Sequence, residues 1–507
     1  MSALDQSTIV AVIGAGAMGA GIAQVAAQAG HPVLLYDNRS GAAGAAIEEL
    51  DRQLGKLEGK GKLSAKQREQ ILDRLRPVDS LSELAVAGLV IEAIVENLDI
   101  KRRLFAELEA VCQDSCVLAS NTSSLSITSI AADLSRPERF LGVHFFNPAP
   151  VMALVEVVSG LATLPEIANA LYDTALQWGK TPVHTRSTPG FIVNRVARPF
   201  YAESLRLLQE GAADCATLDA LMRDAGGFRM GAFELTDLIG HDVNYAVTCS
   251  VFDAYYGDMR FQPSLVQKEL VDAGRLGRKS GQGFYDYGSD VPRALVSETR
   301  SAQQVDSCVV EGDLGIAQDL VQRFAAVGIK VERRSGKGLI RVGDAVLALS
   351  DGRVASERAE SDGLKNLVLF DLALDYAKAT RIAVSSSAGA SPLARDQAIA
   401  LLQRAGLIPS LLADLPGLLV LRTVATLANE AADAVLQGVA NAADIDLAMC
   451  KGVNYPKGPL AWADRVGLST MLVALENLQA SYGESRYRPS LLLRRHVAEG
   501  RNFHDGF

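Results

Sequence analysis

Short apolar runs closed by turn residues alternate with longer helical patterns over the first 186 residues. Thr8 to Ile13 is a β-branched apolar run, and a glycine-bearing turn and an Ala-rich helical stretch follow. Val33 to Tyr36 make a second strand, so 8–37 reads strand, turn, helix, strand. Residues 89–105 (LVIEAIVENLDIKRRLF) predict a buried strand leading into a helix, and 117–127 (VLASNTSSLSI) an apolar strand ending in a polar turn. Two further strands are expected, one in 140–150 (FLGVHFFNPAP), broken by proline, and one over 151–158 (VMALVEVV). Strands alternating with helices predict an α/β domain on a mostly parallel sheet. After Ser187 the pattern turns helical. Residues 191–211 predict one amphipathic helix kinked at Pro199, with shorter helices to about 290.

The second half repeats the first in degraded form. PGFIVNR at 189–195 recurs as PGLLVLR at 416–422, an interval of 227. The same interval pairs Glu203 with Glu430, Gly211 with Gly438, Asp219 with Asp446, Gly231 with Gly458 and Asp237 with Asp464. Residues 307–331 keep a strand–helix–strand rhythm. Four domains follow from this: 1–186 α/β, 187–290 all-α, 300–405 a decayed copy of the first, and 406–507 a second all-α copy. RIAVSSSAGA (381–390) is read as standing where a second SNTSS would fall. Leu421 occupies the place of Asn194, and no second HFFNP exists.

Composition narrows the class. At 507 residues one hydrophobic core is insufficient. The formal net charge of −9, with no clustered Lys/Arg surface, argues against nucleic acid. Residues 9–29 are apolar but interrupted by glycine and preceded by acidic Asp5, so neither a signal peptide nor a membrane span is expected. The six cysteines show neither a disulfide framework nor zinc-ligand spacing, so no metal is expected and a cytoplasmic setting fits.

Gly14, Gly16 and Gly19 spell G-x-G-x-x-G between the first strand and its helix. The first permits a tight turn, the second lets backbone approach a pyrophosphate, and the third lets helix and strand pack closely. The helix N-terminus offers free N–H groups to the phosphates. Asp37 closes the second strand at the separation expected of a ribose-binding carboxylate, which favours NAD over NADP. The first domain is therefore Rossmann-like, and 300–405 a Rossmann-like remnant whose Gly312 and Gly315 no longer spell the motif. FAD shares the fingerprint, so the downstream residues must choose nicotinamide. Glu96 and Lys101 lie near one strand end, and Asn121 and Ser123 at another, on the ligand side of such a sheet.

His144 ends one apolar strand and Glu156 interrupts the next. A carboxylate there is costly unless paired, and histidine is the obvious partner. Glu156 would accept a hydrogen bond from one imidazole nitrogen and orient the ring. The other nitrogen would take a hydroxyl proton as hydride leaves carbon. Ser123 and Asn194 would hold the substrate oxygen. Taken singly, each has a bland explanation: a satisfied core histidine, a turn serine, a helix-supporting asparagine. Their joint presence after a dinucleotide fold does not.

Residues 8 to 287 resemble the L-3-hydroxyacyl-CoA dehydrogenases through GAGAMGAGIA, VIEAIVENLDIK, ASNTSSLSIT, HFFNPAPVMALVEVV, TPGFIVNR and GRKSGQGFYDY. The resemblance implies NAD-dependent oxidation of an (S)-3-hydroxyacyl-CoA to the 3-ketone. It makes His144 the base, Glu156 its partner, Ser123 and Asn194 substrate contacts, and Asp37, Glu96, Lys101 and Asn121 the lining of the NAD site. Lys56, Lys60 and Lys62 are candidates for CoA. It also implies dimers built through helical domains, from which 405–507 is expected to pack on 187–290 in place of a partner subunit. The long layout resembles bacterial enzymes of the phenylacetate route that oxidise 3-hydroxyadipyl-CoA, with 3-hydroxybutyryl-CoA as the competing substrate. The second half is expected to be catalytically silent. Two other classes compete: a CoA-independent hydroxy-acid dehydrogenase, which generally uses lysine as base, and a non-catalytic NAD-binding or assembly protein.

Overall fold

The structure, a computed structural model, describes residues 3–288, 291–292 and 294–505. The expected domain edges at 290 and 507 lie outside the described residues. The chain divides into two compact units.

The first unit comprises Met1–Arg195 and Gly438–Val453. Its sheet holds eight strands: β1 (Val10–Ile13), β2 (Val33–Tyr36), β3 (Leu75–Val78), β4 (Leu89–Glu92), β5 (Val117–Ser120), β6 (Phe140–Phe145), β7 (Leu154–Ser159) and β8 (Thr181–Arg186). Their order is β3-β2-β1-β4-β5-β6-β7-β8. Every neighbouring pair is parallel except β6 with β7. Successive residues of a strand face opposite sides. Val10 and Val12 accordingly enter one core, Ala11 and Ile13 the other. The inner strands β1, β4, β5 and β6 are buried on both faces, which is why they read as largely continuous apolar runs and not as alternations. The order reverses between β1 and β4, which opens a crevice at the strands' C-terminal ends. The helix Ala442–Gly452, although late in the chain, packs on β7 and β8 within this unit.

The second unit comprises Val196–Gln437 and Asn454–Phe507. One kinked helix over 191–211 does not form. A short helix ends at Val196, and a new one, Arg198–Gln209, starts with Pro199 in its first turn. Proline has no N–H to give and is tolerated only there, so the chain restarts a helix instead of bending one.

The second sheet has seven strands: β9 (Ser307–Glu311), β10 (Lys330–Arg334), β11 (Leu339–Val342), β12 (Ala345–Leu349), β13 (Leu367–Phe370), β14 (Arg381–Ser386) and β15 (Ile408–Leu411), in the order β10-β9-β11-β12-β13-β14-β15. The interval of 227 also relates the starts of β6 and β13, of β7 and β14, and of β8 and β15. It carries the helix Pro165–Gln177 onto Pro392–Arg404. β13 and β14 are antiparallel and β14 and β15 parallel, as in the first sheet. This corrects one expectation: 381–386 is the counterpart of β7, and the interval carries SNTSS (120–124) onto 347–351, the end of β12 and the two residues after it. β11 runs antiparallel to both neighbours, where the first sheet has parallel β4.

In the helical part of this unit, Val420–Leu436 packs on Arg198–Gln209, Pro459–Val466, Leu468–Tyr482 and Leu491–Glu499. Arg422 is fully buried there. Its Nε donates to Glu203 Oε2 at 2.5 Å, and its Nη atoms donate to the hydroxyls of Tyr482 and Tyr487, both at 2.9 Å. A buried guanidinium is tolerable because both its charge and its donors are met.

Candidate active site

The β6–β7 register sets His144 directly opposite Glu156. His144 Nδ1 lies 2.6 Å from Glu156 Oε2, and both side chains are buried. An ionised carboxylate can only accept, so Nδ1 carries a proton, and in the neutral ring the lone pair lies on Nε2. Phe146 and Phe191 flank the ring, with centroids at 4.4 and 5.9 Å. The other carboxylate oxygen, Oε1, accepts from the N–H groups of Ile192 and Val193, each at 3.0 Å. Those groups open the short helix that carries Asn194. One carboxylate therefore fixes both the imidazole and the asparagine-bearing turn. The turn is strained: Phe191 has φ +48°, which a side chain with a Cβ adopts only when its surroundings hold it there.

Asn194 Nδ2 donates to the Ser123 carbonyl at 3.4 Å, and Ser123 N–H donates to Glu96 Oε1 at 3.1 Å. Glu96 gathers the whole polar turn after β5. It accepts from Thr122 Oγ1 at 2.6 Å, Ser124 N at 3.2 Å and Ser124 Oγ at 2.9 Å. Burial pushes the Glu96 carboxyl up, but the Thr122 bond, the Lys101 charge and the Ser124 and Ser123 bonds together hold it below the usual carboxylate range. Asn121 turns inward: its Oδ1 accepts from Phe145 N–H at 2.8 Å and ties β5 to the end of β6.

Lys101 is buried, with Nζ 2.5 Å from Glu92 Oε1 and 3.4 Å from Glu96 Oε2. Glu92 also accepts from Ile94 N and Ser120 Oγ, both at 2.7 Å. Sequence reasoning passed over Glu92, although it gives the signal that exposed Glu156: an acid inside an apolar strand. Thr122 and Arg39 were passed over as well. The unassigned candidate lysines for CoA, Lys56, Lys60 and Lys62, are all exposed.

The glycine turn fits a dinucleotide. Gly14 has φ +100°, and a Cβ on Gly19 would lie 1.7 Å from the Gly14 carbonyl, so helix and strand close up only without one. Around Gly16 there is open space, as an approaching pyrophosphate needs. A cavity of about 760 Å³ adjoins, lined by Gly14, Gly16, Tyr36, Asp37, Arg39 and Ile94 among others. Asp37 Oδ2 accepts from Ala15 N at 2.8 Å, and Oδ1 from Arg39 N and Nε, both at 3.0 Å. Burial raises this carboxyl, but the Arg39 side chain and the Ala15 and Arg39 N–H groups outweigh it and bring it to about 2.

The second half repeats the clamp without the histidine. The interval of 227 carries His144 onto Asp371 and Glu156 onto Ala383. Asp371 is fully buried and accepts from Leu419 N at 2.9 Å, Val420 N at 2.6 Å, Leu421 N at 3.0 Å and Leu372 N at 2.8 Å. Leu418, the counterpart of Phe191, has φ +53°. Burial pushes the Asp371 carboxyl up to about 6 against the pull of those four N–H groups.

Comparison with known proteins agrees with this geometry. Residues 9–188 match the family described as 3-hydroxyacyl-CoA dehydrogenase, NAD binding domain, and 190–287 and 417–504 both match its C-terminal domain. Residues 347–416 match the 3-hydroxybutyryl-CoA dehydrogenase reduced Rossmann-fold domain. The chain is 48% identical over 485 residues to the 3-hydroxyadipyl-CoA dehydrogenase of Escherichia coli K12, covering 96% of each chain. It is 41% identical over 284 residues to the human mitochondrial hydroxyacyl-coenzyme A dehydrogenase, covering 55% of this chain and 90% of that one. A crystal structure of 3-hydroxybutyryl-CoA dehydrogenase from Escherichia coli K12 superposes with a TM-score of 0.89 at 46% identity, covering 98% of this chain and 99% of that one. Among the described residues, no helix is long and apolar enough to cross a membrane.

Proposed function

The chain belongs to the 3-hydroxyacyl-CoA dehydrogenase family, and we propose that it oxidises (S)-3-hydroxyadipyl-CoA to the 3-ketone, with His144 as the base. The observation that carries the roles is the 2.6 Å bond between His144 Nδ1 and Glu156 Oε2. NAD, when bound, supplies the hydride acceptor. His144 Nε2 takes the hydroxyl proton, and Glu156 stabilises the imidazolium that results. Ser123 and Asn194, linked through the Ser123 carbonyl, hold the substrate oxygen. Gly14, Gly16 and Gly19 cradle the pyrophosphate, and Asp37 takes the ribose hydroxyls. Asn121, Glu96 and Lys101 frame the nicotinamide side. Support for Glu96 comes from its hold on the Ser123 turn, and for Lys101 from its contact with Glu96.

A second substrate reading, 3-hydroxybutyryl-CoA, is favoured by the name of the superposing crystal structure. Steady-state NADH formation separates the two. Higher kcat/KM with 3-hydroxyadipyl-CoA is expected, and higher kcat/KM with 3-hydroxybutyryl-CoA would replace the proposal. A cytoplasmic setting is part of it, supported by six free cysteines.

The domains are proposed as 1–186, 187–290, 300–405 and 406–507, the last two without catalysis of their own. The late helices stand in for a partner subunit's helical domain, a reading supported by the buried Arg422–Glu203 pair. Residues 1–295 expressed alone should then self-associate or lose activity. A stable, fully active monomer would end this idea.

A further inference from the structure

The helical part of the second unit borders an open cavity of about 390 Å³. Four arginines reach its wall, and three are matched to carboxylates. Arg206 meets Glu484 at 3.4 Å, and Arg486 meets the same Glu484 at 2.7 Å. Arg260 meets Asp258, Glu430 and Asp433 at 2.9, 3.2 and 2.5 Å. Arg198 meets none among the described residues, although it is only 5% exposed. Among the described residues it donates from Nη1 to Thr248 Oγ1 at 3.0 Å, and its buried Nε has no partner there. The Tyr201 ring covers it, 4.9 Å from the guanidinium carbon. On the same wall the buried Ser264 hydroxyl is also without a partner among the described residues.

A guanidinium does not give up its proton, so burial cannot be relieved by neutralisation. A ring face and one neutral acceptor compensate a desolvated cation only in part. Burial pushes Arg198 below its ordinary range, with only Tyr201 and Tyr455 opposing it. The missing component is an anion, and a planar fork with free N–H groups matches a carboxylate. Leu205, Phe261 and Leu265 supply apolar wall beside it, which suits a short aliphatic chain.

We propose that this cavity binds a small aliphatic carboxylate through Arg198 and Ser264. The ligand is a free aliphatic dicarboxylate. The site does not depend on the assignment of the reaction.

Isothermal titration of the full chain with adipate tests it. One saturable site is expected, with no binding of the uncharged diamide of the same length. Arg198→Gln should weaken adipate at least about tenfold, about 1.4 kcal/mol. Ser264→Ala should weaken it by about threefold and serves if Arg198→Gln does not fold. No saturable binding to the wild-type chain, equal binding of adipate and its diamide, or unchanged affinity in the folded variants would overturn the proposal. If neither 3-hydroxyadipyl-CoA nor 3-hydroxybutyryl-CoA yields NADH, the reaction assignment fails while the titration still reads the cavity.

Discussion

Glu156→Gln isolates what the carboxylate does for the imidazole, because it changes charge and donor pattern while keeping shape. The two oxygens of Glu156 serve different partners: Oε1 the Ile192 and Val193 N–H groups, Oε2 the His144 ring. A glutamine has one oxygen, and the two backbone donors will claim it. Turning the amide over would set its NH₂ against both of them, at about 1–3 kcal/mol for each donor left unmet. The NH₂ therefore faces Nδ1, which must accept, and the ring proton moves to Nε2. That nitrogen can then no longer take a proton from substrate. Inverting the tautomer in a carboxylate–histidine couple costs roughly 10⁴-fold in kcat, about 5 kcal/mol of barrier. Stability falls less, by about 1.5–3 kcal/mol for the lost charge-assisted bond. The assay is steady-state NADH formation, with NAD affinity by fluorescence titration and a melting curve as controls. The expected result is a loss of kcat with NAD binding and fold intact. Glu156→Asp, which still accepts from nitrogen but cannot reach both partners, should fall between. A folded Glu156→Gln protein with kcat within about tenfold of wild type would refute the argument.

His144→Gln should abolish turnover while leaving NAD affinity within about twofold, and residual turnover above roughly one part in a thousand would remove His144 from the proton step. Asp37→Ala should weaken NAD by about tenfold and narrow the preference over NADP, because Arg39 is released from its carboxylate partner; unchanged cofactor selectivity would count against the ribose role. Burial pushes the Asp219 carboxyl up to about 7, against the Tyr285, Phe233 and Glu234 bonds. The folded state thus holds a proton that the unfolded chain releases near pH 4, so stability falls as pH rises from about 4 to 7, by on the order of 4 kcal/mol. Asp219→Asn should flatten that slope in melting curves between pH 5 and 8, and an unchanged slope would reassign it. Leu421→Ala should cost about 2–5 kcal/mol of stability, since Leu421 is fully buried, yet leave the turnover of folded protein alone.

The elements legible in the sequence are those whose surroundings are uniform. β1, β4, β5 and β6 are buried on both faces, so an unbroken apolar run is all their environment demands, and β2 falls at its predicted bounds, Val33 to Tyr36. β3 and β8 lie at the sheet's two edges, where one side is unpaired, and their sequences LRPV and TPVHTR carry no such run. The His144–Glu156 pairing was inferable only as a need of a buried acid. What delivers it is the register of an antiparallel pair, which depends on the course of 146–153 and not on any periodicity. Lys101 shows the converse. In the sequence it reads only as a residue on the ligand side of the sheet, because its partner Glu92 lies in the preceding strand and pattern gives no distance between them.

The second half shows why the site's two components can be separated. A buried helix start leaves N–H groups that need an acceptor whatever chemistry is nearby. Both halves have such a start after the same proline–glycine turn, at Ile192–Val193 and at Leu419–Leu421, and both hold a left-handed residue just before it. The acceptor can come from either of two strands, since antiparallel pairing sets 144 beside 156 and 371 beside 383. In the second sheet it comes from Asp371, on the strand where the first half carries histidine, and position 383 needs no more than alanine. In the first sheet it comes from Glu156, on the neighbouring strand. That exchange leaves the β6 position open to an imidazole, and the acid that clamps the turn has a second oxygen with which to orient it. The clamp is thus a requirement of the fold, and the imidazole is an addition made on only one of two equivalent arrangements.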